Sequence, residues 1–132
     1  MEPIEIECEV PLSQDDAFAR LTDWKSHGDA VPFTTVRLTE TGFVARTAVG
    51  RIGFDDAMDI VEWDPPRFCR LEKRGRALRG WAEISVRPTA GGSTVVWREV
   101  AHVRGVPRLL GGVERGVGTI LFTRLINGLT RA

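Results

Sequence analysis

Hydrophobic and polar positions change their period along this chain, and the changes mark its elements. Ile4, Ile6, Cys8 and Val10 alternate with Glu5, Glu7 and Glu9, the pattern of a half-buried strand with an acidic outer face. Pro11 ends it. Ser13, followed three residues later by Asp16, resembles a capping box with Asp in place of Glu. Ala17, Phe18, Leu21 and Trp24 then fall at helical spacing, which predicts a short amphipathic helix over about residues 14–23. Gly28 and Pro32 limit the next stretch to at most one more turn of helix.

From Phe33 to His102 the period is two, interrupted by turn residues. Residues 36–38, 43–49, 57–63, 68–73, 78–86 and 94–103 read as six consecutive strands. Asp64-Pro65-Pro66 closes the third of them, because proline cannot continue a ladder, and Ala90-Gly91-Gly92-Ser93 reads as a hairpin turn. Beyond Pro107, the residues Leu110, Val113, Val117, Leu121 and Leu125 step by three or four, which predicts one long helix from about 107 to 129. Gly111, Gly112, Gly116, Gly118 and Gly128 each cost up to about 1 kcal/mol relative to Ala inside a helix, so this helix needs a tertiary reason for them. The order is therefore β-α-(α)-β6-α. It predicts an α+β fold in which a curved antiparallel sheet of about seven strands wraps around the C-terminal helix, with a cavity between them.

Composition adds limits. The 132 residues fit one domain spanning 1–132, large enough to bury a core without disulfides or a metal. Eighteen basic residues match eighteen acidic ones, so the basic excess of a general nucleic-acid binder is missing. The balance hides a split. Residues 1–66 carry five basic and fourteen acidic side chains, whereas residues 67–132 carry thirteen and four. Because these charges are scattered through apolar patterns, the expectation is that the two signs meet across neighbouring strands. The acidic start and the lack of a long apolar run point to a cytoplasmic protein with no membrane span. Cys8 and Cys69 have no metal-like spacing and are expected as reduced, buried thiols.

Chemistry narrows to few residues. There is no GxSxG, no zinc-like spacing of His and Cys, and no Lys-Ser/Thr after the glycine-rich segment 111–118. No metal and no cofactor are therefore expected. On the last strand Trp97 is placed inward, since a large ring with one N–H suits a cavity, and Glu99 follows it inward. An inward carboxylate needs a partner, for which Lys73 and Arg79 are the candidates, although the pattern leaves the facing of Lys73 and Glu99 open. Near the first helix, Trp24 is read as a plug, Asp23 as a cap, and His27 as a solvated loop residue.

The segments Leu21-Thr22-Asp23-Trp24, His27, Val31-Pro32-Phe33-Thr34, Asp56-Ala57-Met58, Trp63-Asp64-Pro65-Pro66, Arg79-Gly80 and Val96-Trp97-Arg98-Glu99 resemble the START-like (SRPBCC) superfamily. The nearest branch is the bacterial polyketide cyclase/dehydrase and lipid-transport type, and the likeness runs from Ile4 to Leu129. The resemblance implies a helix-grip fold with a cavity for a hydrophobic ligand, in a family that includes both carriers and cyclases. The expected function is binding of a small hydrophobic or polycyclic, lipid- or polyketide-like molecule by a monomer or homodimer. Expected lining residues are Phe43, Ala45, Met58, Ile60, Leu71, Lys73, Ala82, Ile84, Trp97 and Glu99 from the sheet, with Leu110, Val113, Val117 and Leu121 from the helix. The alternative is a cyclase/dehydrase-like enzyme with Glu99 as general acid or base. The sequence has no Tyr to act as a proton donor, which favours binding.

Overall fold

A computed structural model describes residues 3–31, 33–76, 78–103, 120, 123–124 and 126–130. Its elements are β1 (Ile4–Val10), α1 (Gln14–Leu21), α2 (Trp24–Ala30), β2 (Thr34–Leu38), β3 (Gly42–Val49), β4 (Ile52–Asp64), β5 (Phe68–Arg74), β6 (Leu78–Thr89) and β7 (Gly92–Val103). All seven strands join one curved antiparallel sheet in the order β1-β7-β6-β5-β4-β3-β2. Consecutive strands pair through β2 to β7, and β1 closes the arrangement by pairing with β7, Ile4 facing Glu99 and Val10 facing Ser93.

Local chemistry explains most boundaries. Ser13 Oγ accepts the Asp16 backbone N–H at 3.2 Å, capping α1, while Asp15 and Asp16 in its first turn and Arg20 in its last suit the helix dipole. Ala17, Phe18 and Leu21 are the buried face of α1. They cover the end of the sheet where Ile84, Val86 and Val95 form the core, and Gln14 Nε2 ties α1 to the Val86 carbonyl at 2.9 Å. A register shift in β4 between Ile60 and Glu62 turns Trp63 onto this same end, where its ring meets Phe18 at 5.3 Å.

Two expectations are corrected. The second helix is seven residues long rather than one turn, because Gly28 does not break it. A Cβ at Gly28 would stand 3.1 Å from the Thr34 carbonyl oxygen, so this glycine lets α2 lie close against β2. Strand β4 begins at Ile52 rather than Ala57, since Ile52–Asp56 continues the ladder with β3 down to the turn at Gly50.

The expected long helix over 107–129 lies mostly outside the described residues. Within it, 120, 123, 124 and 126–129 are helical, and Ile126 and Leu129 are buried in the core. The continuous helical stretch described is thus the short one at 126–129. No helix among the described residues is long and apolar enough to cross a membrane.

The opposite charges of the two halves do meet between strands. Glu5 pairs with Arg98 at 3.5 Å across β1 and β7, and Asp59 with Arg74 at 3.4 Å across β4 and β5. Cys69 is buried and Cys8 partly so, and both are free thiols.

Candidate functional site

The inner face of the sheet carries a cavity of about 210 Å³. Its apolar wall comes from Phe43 and Ala45 on β3, Phe54 and Met58 on β4, Leu71 on β5, Leu78 on β6 and Trp97 on β7. Val31 and His27, at the end of α2 and within it, and Val36 on β2 complete that side. Trp24 is buried and stacks on Phe43, with ring centroids 4.7 Å apart.

Three ionisable groups sit among these apolar residues. Asp56, Lys73 and Glu99 come from β4, β5 and β7, and the register sets them in one inward row. Lys73 faces Met58, two residues from Asp56, and also faces Gly80; Glu99 faces Ala82. The intervening strand β6 shows only Gly80 and Ala82 at this level. With strands about 4.8 Å apart, that low ground lets the lysine stem lean across β6. Lys73 Nζ stands 2.6 Å from Asp56 Oδ2 and 3.8 Å from Glu99 Oε1, and Met58 Sδ lies at 3.9 Å. The Lys73 and Glu99 side chains are only 4% and 2% exposed, so neither charge is left to water.

Burial sets the protonation of this cluster. It pushes Glu99 up to about 7, an effect that the Asp56 charge reinforces and that Lys73 and the Trp97 indole only partly reverse. Burial also acts to lower Lys73, but the charges of Glu99 and Asp56 outweigh it and hold the ammonium above its ordinary range. Lys73 is therefore a fixed cation, while Glu99 gains and loses a proton near neutrality.

His27 is a correction to the solvated residue expected. It is buried against Trp24, Phe43 and Trp97, with its ring centroid 6.1 Å from that of Trp97. Its Nε2 lies 2.7 Å from the Leu21 carbonyl oxygen. A carbonyl only accepts, so Nε2 carries the proton and Nδ1 is the basic nitrogen. Burial lowers its pKa, against the Leu21 carbonyl and the Asp23 charge, and keeps the ring neutral. Asp23 stands at the α2 N-cap but accepts from Ser26 Oγ at 2.7 Å instead of capping a backbone N–H.

Of the expected lining residues, Phe43, Ala45, Met58, Leu71, Lys73, Trp97 and Glu99 are on the cavity. Ile60, Ala82 and Ile84 share the inward face but not the cavity wall. Ile84 and Ala82 are fully buried in the core, and Ile60 packs against it. Leu110, Val113, Val117 and Leu121 lie outside the described residues. Arg79 is not the partner of Glu99, since it is exposed on the opposite parity of β6, facing His102. Asp56, Phe54, His27 and Thr47 were missed, as were Val31, Thr34, Val36 and Leu78. Thr47 already shared the face of Phe43 and Ala45 in the strand read at 43–49, and Asp56, two residues before Met58, joins the row once its strand is extended. Among the described residues no three of His, Cys, Asp or Glu gather to hold a metal ion.

Solved structures share this architecture. A protein of Chromobacterium violaceum superposes with a TM-score of 0.76 at 10% identity, covering 98% of this chain and 96% of its own. The di-domain ARO/CYC StfQ of the steffimycin biosynthetic pathway gives 0.76 at 14% identity, covering 98% of this chain and 50% of StfQ. Ara h 8.0201 gives 0.69 at 12%, covering 96% of each chain. At these identities the likeness is one of fold. No curated protein matches the chain in sequence. The family described as polyketide cyclase / dehydrase and lipid transport, of START-like (SRPBCC) type, matches residues 1–131, and the chain belongs to it.

Proposed function

We propose that this protein binds a small, mainly apolar molecule in the cavity on the inner face of its sheet. The observation that carries this reading is an unfilled space of about 210 Å³ walled by Phe43, Phe54, Met58, Leu71 and Trp97. A packed core leaves few voids larger than a water, so an apolar-walled cavity of this size stands out as room for a ligand. It lies below the ~300–1,000 Å³ of drug-sized sites, which favours a body of roughly one or two rings over a long acyl chain.

Ala45→Trp tests the reading by filling the space from the wall. A polarity-sensitive apolar dye should bind the wild type with enhanced emission. The variant should lose at least about tenfold in affinity while its thermal midpoint holds or rises, since filling a void costs less than overpacking a core. Native mass spectrometry of the purified protein should show a retained apolar molecule in the wild type only. Equal dye binding by both proteins overturns the assignment.

One observation favours a second reading. Glu99 has its pKa near 7 inside an apolar cavity beside a fixed ammonium, the condition sought in a general acid or base. In a family that includes cyclases, Glu99 would pass a proton during ring closure of a β-keto chain, with Lys73 polarising a carbonyl. Removing such a group by Glu99→Gln typically costs 10²–10⁴-fold in rate. Turnover of a poly-β-keto substrate by the wild type, lost in the variant, would establish it.

A further inference from the structure

Two oxygens beside the cavity lack a hydrogen-bond donor. Asp56 Oδ1 and Glu99 Oε2 are shut off from solvent without a donor in hydrogen-bond geometry, the Glu99 carboxylate drawing otherwise on Lys73 and the Trp97 indole. Both belong to residues that line the cavity, and Glu99 as a whole is 1% exposed. Folded chains seldom leave buried carboxylate oxygens bare, and each one that is bare calls for an explanation, a donor from outside the chain among them. Lys73 cannot fill the deficit. Its ammonium is held at 2.6 Å by the other oxygen of Asp56 and stands 3.8 Å from the other oxygen of Glu99.

The charge count points the same way. With both acids ionised, two carboxylates face one ammonium, leaving the cluster one negative charge in excess. The other described residues on the cavity wall do not offset it. From α2 the wall receives His27, kept neutral by burial. From β2 and β3 come Thr34, Val36, Phe43, Ala45 and Thr47, and from β6 Leu78, none of them charged.

Resting on the reading that this cavity holds a ligand, we infer that its ligand is a small aromatic amine whose protonated head lies against Asp56 and Glu99. A primary ammonium brings three N–H donors and a positive charge, enough for two bare oxygens and the excess negative charge together. A hydroxyl brings one donor and no charge. A carboxylate brings neither, and would set a third anion beside two. The aromatic body suits Phe43, Phe54 and Trp97.

Calorimetric titration with four molecules of similar shape separates the possibilities: phenethylamine, phenethyl alcohol, hydrocinnamate and propylbenzene. Phenethylamine should bind roughly tenfold or more tightly than the alcohol, with hydrocinnamate weakest, because charge-assisted hydrogen bonds are about twice as strong as neutral ones. Its affinity should rise from pH 6 to pH 8 as Glu99, whose pKa lies near 7, gives up its proton. In Glu99→Gln and in Asp56→Asn, each confirmed as folded by circular dichroism, the ratio of amine to hydrocarbon affinity should fall toward one. If propylbenzene, the alcohol or hydrocinnamate binds as tightly as the amine, the inference is wrong while the apolar cavity stands. If none of the four binds, the cavity reading itself fails and takes the inference with it.

Discussion

Glu99 and Lys73 respond differently to losing each other. Removing the cation by Lys73→Met leaves two buried carboxylates facing without a counter-ion, a change that typically costs 3–5 kcal/mol. Removing the titrating acid by Glu99→Gln keeps the shape and leaves Lys73 paired with Asp56 at 2.6 Å. Chemical denaturation at pH 7 should show the first as severe and the second as small. The pH dependence has a definite sign. Glu99 rises from an ordinary 4.5 to about 7 on folding, so its protonated form favours the folded state. The stability it contributes is complete below about pH 4.5 and is lost as pH rises through 7, on the order of 3 kcal/mol in all. His27, whose pKa is lowered, works in the opposite direction below 6.5, so the wild-type profile blends the two. Subtracting the Glu99→Gln profile isolates the glutamate: the difference should slope between pH 5 and 8. A difference flat across that range would remove Glu99 from the buried cluster.

At the level of elements, strand β6 is the least conspicuous and does the most for the site. Gly80 has a φ of +141°, and a Cβ there would collide with the Val100 carbonyl of the neighbouring strand. Gly80→Ala should therefore cost about 2 kcal/mol or more in a urea melt. Ala82→Leu should raise a side chain between Lys73 and Glu99, removing the cation that holds Glu99 down, and its signature would be a pH slope that steepens and extends to higher pH. An unaltered slope would show that the lysine reaches Glu99 by another path. How much of this was legible differs by element. Alternation announced β1, β5 and β7 to within a residue or two, since each has one wet and one buried face. It also put Trp97 and Glu99 on a common face correctly. It failed over Ile52–Asp56, which the strand read at 57–63 left out, because the apolar positions there are few and β3 supplies the pairing. With that stretch went Asp56, the nearest partner of Lys73. His27 escaped for a related reason: its burial depends on Trp24, Phe43 and Trp97 converging from three elements, which no local pattern records.

Across the whole molecule, the closing contact is the one between β1 and β7, joining residues 4–10 to residues 93–99. Those two strands belong to halves of the chain with net charges of −9 and +9. The pairing has a kinetic side. The paired segments come from opposite ends of the described sheet in sequence, and such distant pairings slow folding because loop-closure entropy must be met first. Opposite charge on the two halves offsets part of that delay by drawing them together in the unfolded chain. Salt screens that attraction, with a Debye length of about 10 Å at 0.1 M and 3 Å at 1 M. Stopped-flow refolding should therefore slow as sodium chloride rises from low millimolar to about 0.5 M, while the unfolding rate changes less. A refolding rate indifferent to salt would mean that the halves meet without electrostatic guidance. Where the attraction holds, the strand made first waits exposed until the strand made last arrives, and the acidic face of Glu5, Glu7 and Glu9 keeps it from pairing with other copies during that wait.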